Sequence, residues 1–183
     1  MSIYSFNENA PVLTTVLDAD IIPINSGGKL SQITAKVLQT ASGGTVTTTS
    51  GATVLAVTQA LHGNRTVTLS NTGPIAITLP TATGTGTKYR FVLQVAATAT
   101  QSTIKVGNST DVLQGLITSL TTTAGVLIGF NASATSDTIS LNGTTTGGGI
   151  GGLYEITDIK SGIFHVVARD TAAMTTTPYT TSV

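Results

Sequence analysis

Residues 73–115 read GPIAITLPTATGTGTKYRFVLQVAATATQSTIKVGNSTDVLQG, and this stretch decides the fold. In the run Ile75–Leu79 large apolar residues alternate with small ones, the period of two that is typical of a strand with one buried face. The runs Tyr89–Val95 and Thr103–Val106 have a similar strand-like character. Pro80 and the glycines that follow it interrupt strand pairing, so they predict a turn between the first two runs.

Short strand-like runs continue on both sides of this stretch, with turn residues every ten or so positions. Asn142-Gly143, the dipeptide favoured in two-residue β-hairpins, predicts a hairpin turn. A Thr- and Gly-rich chain of this kind predicts an all-β fold, a β-sandwich or jelly roll. A polar loop followed by a Thr-containing run recurs, but without the fixed period of a solenoid, so a solenoid or β-helix is the minority alternative for a chain this rich in Thr and Gly. The further predicted strands are Thr53–Val57, Arg65–Leu69, Val112–Thr118, Val126–Phe130, Thr138–Leu141, Leu153–Thr157 and Ile163–Arg169.

The chain is poor in charge. Charged residues make up 9% of its 183 residues, against about 25% in an ordinary soluble domain. No apolar run reaches the roughly 18 residues of a membrane span, and a formal net charge of zero favours neither nucleic acid nor an anionic membrane as a partner. We therefore expect the low-charge surface to be covered by sister copies or by another protein.

Two features missing from the sequence limit the sites that the protein can form and the compartment in which we expect it to be made. There is no cysteine, which excludes disulfides and thiolate metal sites. The first residues, MSIYSFNENAPVL, have neither the basic nor the apolar part of a secretory signal, so synthesis in a cytoplasm is expected.

Composition divides the chain into three parts. Residues 1–42 are a predicted N-terminal arm, residues 43–146 a β-sandwich core, and residues 147–183 a C-terminal β-hairpin with a polar tail. In the extended arm, Ser31 is placed to cap one short helix, Gln32–Gln39. A helix of this length is marginal alone and needs docking to persist.

The arm also carries the residues that we expect to bind a capsid or another partner. Its isoleucine run contains a proline, which indicates an edge strand or an isolated one. Its aromatic tip is unlike disordered ends, in which aromatic residues are scarce. The predicted partner-binding residues are Ile3, Tyr4, Phe6, Ile21, Ile22, Pro23 and Ile24.

Two motifs invite a phosphate-binding or metal-binding interpretation. Gly84–Lys88 lacks the spacing of a phosphate-binding loop and leads into a strand rather than a helix, which favours a hairpin turn. The two histidines, His62 and His165, have no metal-ligand spacing. His165 would lie on the strand face opposite to Phe164 and Val166, as a surface or interface imidazole.

The acidic residues give no stronger signal. Asp18 and Asp20 have too few oxygen ligands nearby for a calcium loop, so we interpret them as turn or cap residues. Glu155 and Asp158 are the only acids close together outside the arm, and a glycan depolymerase would need such a pair about 5–10 Å apart in a cleft. Nothing points to a catalytic residue, a metal or a cofactor, and the sequence predicts a protein that is not an enzyme.

Two stretches resemble proteins of tailed-bacteriophage virions. Leu17–Ile24 with Gly27–Thr34 is similar to a short module near the start of many such proteins. Leu69–Gly115 resembles small phage proteins of the head decoration, cement or head-fibre type. The matching residues in this second stretch are Asn71, Gly73, Leu79, Pro80, Gly84, Gly86, Phe91, Val106, Asp111 and Gly115.

The resemblance implies a homotrimer of β-rich subunits and offers no catalytic residues. The C-terminal part, Leu153–Val183, is short for a receptor-binding fibre. We therefore expect a capsid decoration (cement) protein that binds the major capsid protein on the outside of the phage head, in virions assembled in the host cytoplasm. The alternative is a head-fibre or tail-fibre adhesin whose Thr- and Gly-rich surface, with Tyr89, Tyr154 and Tyr179, would bind host surface glycans. Neither function requires a cofactor, nucleic acid or a membrane.

Overall fold

The chain divides into two units, Met1–Ser42 and Gly43–Val183. The computed structural model describes residues 21–26, 29–34, 45–47, 52–120 and 125–183. In the first unit the described residues form one antiparallel hairpin of two strands, β1 (Ile21–Ser26) and β2 (Lys29–Thr34). Pro23 lies in β1, in a sheet of only two strands, where both strands are edges and proline is tolerated.

The helix predicted for the arm is wrong at its start. Gln32–Thr34 belong to β2 and pair with β1, while residues 35–39 lie outside the described residues. The β-branched Ile33 and Thr34 suit an extended strand. A helix of eight residues has too few internal hydrogen bonds to compete with cross-strand pairing.

The second unit consists of two mixed β-sheets, which confirms the prediction of an all-β, sandwich-like fold. One four-residue helix, α1 (Gln59–His62), is described beside them. The strands are β3 (Thr45–Thr47), β4 (Val54–Ala56), β5 (Arg65–Leu69), β6 (Ala76–Thr78), β7 (Lys88–Leu93), β8 (Ser102–Lys105), β9 (Val112–Leu120), β10 (Leu127–Asn131), β11 (Thr138–Leu141), β12 (Leu153–Lys160), β13 (Ile163–Asp170) and β14 (Tyr179–Thr180). The seven-stranded sheet has the order β10-β9-β13-β12-β7-β5-β3, and the five-stranded sheet has the order β14-β11-β8-β6-β4.

Successive strands from β3 to β8 lie alternately in the two sheets, so that one circuit of the chain includes one strand of each sheet. Within each sheet the successive strands are parallel: β3, β5 and β7 in one, β4, β6 and β8 in the other. Thr45 pairs with Thr66 and Thr66 with Arg90, whereas Val54 pairs with Ala76 and Ala76 with Thr103. One circuit therefore takes roughly 20 to 30 residues, the length range of repeat architectures. The circuits differ in length, which explains why the sequence shows no fixed period.

The C-terminal residues complete the seven-stranded sheet from its middle. Strands β12 and β13 form the predicted hairpin, and it lies between β7 and β9. The strands of residues 147–183 therefore belong to the same two sheets as those of residues 43–146. The predicted polar tail also contains a strand, since β14 pairs with β11 and its Tyr179 is buried.

The core lies between the two sheets and is built from the inward residues of both. Along β12 and β13 every second side chain is buried, as the period of two predicted. The rings of Tyr89 and Phe164 meet edge to face, with centroids 6.4 Å apart and an interplanar angle of 69°. The largest fully buried side chains are Tyr89, Tyr154, Phe91, Phe164, Ile77, Leu79, Ile104, Leu113, Ile117, Ile139, Leu141 and Ile156.

Two loops predicted as hairpin turns instead carry the chain from one sheet to the other. The loop containing Gly84 joins β6 to β7, and the loop containing Asn142-Gly143 leads from β11 towards β12. Gly143 has a φ of 78°, and a Cβ there would overlap the carbonyl oxygen of Ala97. The Asn-Gly dipeptide therefore marks a backbone that needs glycine, but its flanking strands do not pair with each other.

Candidate interaction surface

The outward side of the seven-stranded sheet, here called the outer face, exposes large apolar residues near its β10 end. Along β13 the alternation places Phe164, Val166 and Ala168 in the core and the residues between them outside. The exposed side chains of this region are Leu116 (41% exposed), Leu120 (55%), Val126 (57%), Leu127 (67%) and Val167 (48%). Contiguous exposed apolar residues mark surfaces that bind another protein.

A groove of about 530 Å³ lies between β9 and β13 on this face. Gly115, in β9, has a φ of 131°, and a Cβ there would overlap the carbonyl oxygen of Val166. Glycine is thus what allows the two parallel strands to approach at this point. The β9–β13 groove is lined by Gly115, Leu116, Thr118, Asn131, Ala132, His165, Val166, Val167, Ala168 and Arg169.

Charges on the outer face are unevenly paired. Glu155 lies between two cations, with its carboxylate oxygens 3.2 Å from Lys88 Nζ and 3.4 Å from Arg90 Nε. His165 and Arg169 are exposed in the groove. Within the described part of the chain, the Arg169 guanidinium has no ion-pair or hydrogen-bond partner. Among the described residues, the groove therefore presents a cation without a counter-charge.

The aspartates of this unit are all buried. Asp111 accepts hydrogen bonds from the Ala82 N–H and the Asn108 amide, each at 2.8 Å. Asp137 accepts from the Ser182 N–H at 2.8 Å. Asp158 and Asp170 are buried in the same way, each among several backbone donors. A buried carboxylate is stable when such donors satisfy it.

Asp158 closes the glycine-rich loop that was considered as a phosphate-binding loop. Its carboxylate accepts from the N–H groups of Thr83, Gly84 and Thr85 at 2.7–3.2 Å. Burial alone would raise the pKa of Asp158, but the hydrogen bonds from Gly84, Thr85 and Thr83 outweigh it and hold this pKa below 3.8. The anion at this loop is thus the protein's own carboxylate.

Asp170 binds a second glycine-rich loop. Its carboxylate accepts from the N–H groups of Gly148 at 2.7 Å and Ala172 at 2.6 Å, and from the Tyr154 hydroxyl. Burial, followed by the nearby Asp170 charge, raises the pKa of Tyr154 well above its usual value. The Tyr154 hydroxyl therefore keeps its proton and donates it to Asp170 near neutral pH.

The residues considered for catalysis or metal binding do not come together. Glu155 faces outward, whereas Asp158 faces inward from the same strand. His62 is buried at the end of α1, and burial lowers its pKa, while His165 is exposed on β13 as predicted. Asp18 and Asp20 lie outside the described residues. Over the ranges that the structure describes, no three His, Cys, Asp or Glu side chains cluster as metal ligands do.

One sequence prediction about a binding surface is wrong, and the predicted binding role of the arm stays a prediction. Tyr89, Tyr154 and Tyr179, considered as glycan-binding residues, are 2%, 0% and 7% exposed and belong to the core. They cannot offer rings to a sugar. The arm residues Ile21, Ile22, Pro23 and Ile24 lie in β1, while Ile3, Tyr4 and Phe6 lie outside the described residues.

The outer face was not among the sites predicted from the sequence. The signal was available in β13, IFHVVARD, where the alternation exposes His165, Val167 and Arg169. The exposed residues of β9 and β10 needed the strand order, because only that order places them beside β13.

Comparisons with known proteins leave the structure as the main guide to function. No protein-family model, no curated protein and no solved structure matches the chain. None of the helices among the described residues is long and apolar enough to cross a membrane.

Proposed function

We propose that this chain is a non-enzymatic capsid decoration protein of a tailed bacteriophage. It binds the major capsid protein on the outside of the head as a homo-oligomer and stabilises the assembled shell. The observation that carries the proposal is the outer face, where Leu116, Leu127 and Val167 are exposed on a chain with only 9% charged residues. Such a surface is stabilised by a permanent protein partner.

The residues that match the phage proteins support this assignment because they have structural roles in the domain. Phe91 is fully buried, Asp111 accepts the Ala82 N–H, and Gly115 permits the close approach of β9 to β13. These residues shape the two sheets and their loops. The resemblance therefore concerns the structural scaffold of the domain, whereas the exposed side chains determine what the domain binds.

Self-association has a natural site at β10, an edge of the seven-stranded sheet. The Ala132 N–H donates to the Gly115 oxygen at 3.0 Å. By the alternation of antiparallel pairing, the N–H groups of Leu127, Gly129 and Asn131 then point away from β9, to the side where the described residues place no further strand. Edge strands without charge or proline add a neighbouring strand readily. A homotrimer forms if β10 pairs head to tail with a different edge of the next copy.

Oligomerisation makes weak shell contacts effective. Three copies joined in one particle present three binding surfaces, so the second and third contacts form at a high effective concentration. A protein that binds several capsid subunits at once binds only the assembled shell, and it stabilises that state by mass action. In this proposal the protein is a virion component on the capsid exterior, assembled in the host cytoplasm.

The experiment mixes purified protein with undecorated phage heads and measures co-sedimentation and the temperature at which the heads disrupt. We expect saturable uptake and a higher disruption temperature. Leu127→Pro should lower the mass measured by light scattering and weaken uptake, because proline removes the edge N–H. The matched control is Leu127→Ala, which keeps that N–H. Absence of uptake at any protein concentration would rule the function out.

A host-cell adhesin is the competing outcome of the same work. Binding of isolated protein to host cells, with no binding to heads, would favour it. The burial of the three tyrosines weighs against it, because glycan sites commonly stack sugars on exposed aromatic rings.

A further inference from the structure

The charges of the β unit are sorted between its interior and its surface. Its four aspartates are internal, where they accept backbone N–H groups. Its remaining acid, Glu155, is engaged by Lys88 and Arg90. Most of the lysines and arginines of this unit are exposed, whereas Arg65 and Lys105 are half-buried. Residues 52–183, as far as the structure describes them, therefore show a cationic surface, although the whole chain has a formal net charge of zero.

The β9–β13 groove combines this charge with apolar walls. Arg169 and His165 lie on the same face of β13, four residues and so roughly 13 Å apart. Val167 lies between them and pairs with Leu116 of β9, and both are exposed. The Arg169 guanidinium thus lies beside an apolar centre, the composition of a protein interface with a polar rim.

We propose that the β9–β13 groove docks an acidic protein surface, one that places an apolar side chain against Leu116 and Val167 and a carboxylate against Arg169. This inference rests on the proposed function where it takes the capsid shell as that partner. A polyanionic sugar or nucleic acid would gain nothing from the two apolar residues, and the described tyrosines offer it no exposed ring. Charge complementarity with an acidic surface also raises the association rate.

The first test is independent of phage heads. The peptide Glu-Glu-Leu-Glu-Glu is titrated into ¹⁵N-labelled full-length protein, with Lys-Lys-Leu-Lys-Lys as the matched control peptide. We expect amide shifts that concentrate at residues 114–118 and 165–169 for the acidic peptide alone, and that weaken as salt is added. Shifts that are equal for both peptides, or that spread evenly over the cationic surface, would overturn the inference.

The second test uses charge reversal. Arg169→Glu should weaken binding of the acidic peptide and of undecorated heads at least tenfold. Lys105→Glu makes the same change of net charge on β8, in the other sheet, and should alter both within twofold. Arg169 is exposed, so thermal unfolding of Arg169→Glu should match that of the unaltered protein.

The two tests separate the inference from the proposed function. If Arg169→Glu binds heads as well as the unaltered protein does, the groove proposal is wrong while the decoration function stands. If the acidic peptide binds at the groove but heads are not bound at all, the docking chemistry stands and the decoration function fails.

Discussion

The two sides of the seven-stranded sheet use the same strands for opposite purposes. The inward side buries Tyr154, Phe164 and Val166 completely and carries the carboxylates of Asp158 and Asp170, which bind the glycine-rich loops. The outward side leaves Val167 and Arg169 exposed from the same strand, β13. Aspartate is short enough to accept several backbone N–H groups at a sheet end, so the acids are drawn inside and the cations remain on the surface. A neutral sequence can therefore fold into a domain with a charged exterior.

The largest expected effect comes from removing an internal acid. Asp170→Ala would leave the N–H groups of Gly148 and Ala172 and the Tyr154 hydroxyl buried without an acceptor. We expect a loss of about 4 kcal/mol in the free energy of unfolding, since breaking a buried charged network is strongly destabilising. Urea unfolding followed by circular dichroism measures it.

The matched control removes one donor and keeps the carboxylate. Tyr154→Phe should cost about 1–2 kcal/mol, because the backbone donors still satisfy Asp170. A loss below 1 kcal/mol for Asp170→Ala would show that the acid is not a structural acceptor, and the contrast between the two sides of the sheet would lose its explanation.

Gly115→Ala tests the close approach of β9 to β13, the two strands that border the groove on the outer face. Its φ of 131° disfavours any side chain, and the added Cβ overlaps the Val166 carbonyl oxygen. We expect a loss of about 3 kcal/mol from strain and displaced strands. Gly129→Ala, in the neighbouring β10, is the control: its Cβ would meet only the Leu116 side chain, at 3.0 Å. Equal losses for the two variants in thermal unfolding would contradict the special role of Gly115.

Asp158 makes the stability of the fold depend on pH. Its folded pKa lies below the usual value of 3.8, so the unfolded chain binds a proton more readily than the native state does. The stability that Asp158 contributes is therefore present above about pH 4 and is lost as the pH falls through its folded pKa. Asp158→Asn should cost about 2 kcal/mol at pH 7. That cost should shrink towards pH 2; a cost that is the same at both pH values would argue against a charged acceptor.

The strands of the β unit were predictable because a sheet with one buried face requires apolar residues at every second position of each strand. Ile75–Leu79 and Ile163–Arg169 carry that alternation, and β6 and β13 occur there. The pairing of the strands was not predictable. Asn142-Gly143 correctly marked a positive φ, yet whether the next strand pairs with β11 or crosses to the other sheet depends on the whole core.

The candidate site depended on the same missing information. Val167 and Arg169 could be placed on one face from the sequence alone, but Leu116 joins them only because β9 runs parallel to β13. Contacts between residues about fifty positions apart follow from the strand order, which no local pattern contains. The internal role of the aspartates was visible only in part. The run Asn108-Ser-Thr before Asp111 predicts a turn residue that bonds the backbone, but its partner Ala82 lies one circuit earlier in the chain, which no local pattern shows.

Two neighbouring valines of β13 compare the two sides of the sheet directly, because Val166 faces the core and Val167 faces outward. This pair also includes the smallest expected effect on stability. Val166→Thr puts a hydroxyl into the fully buried side and should cost about 2 kcal/mol. Val167→Thr makes the same chemical change on the outer face, where the side chain is 48% exposed, and should change stability by less than about 0.5 kcal/mol. Uptake by undecorated heads should show the reverse order, with the binding of Val167→Thr weakened several-fold at full stability. If Val167→Thr binds heads normally, then the exposed apolar residues of β13 take no part in docking, whatever the interior of the sheet contributes to the fold.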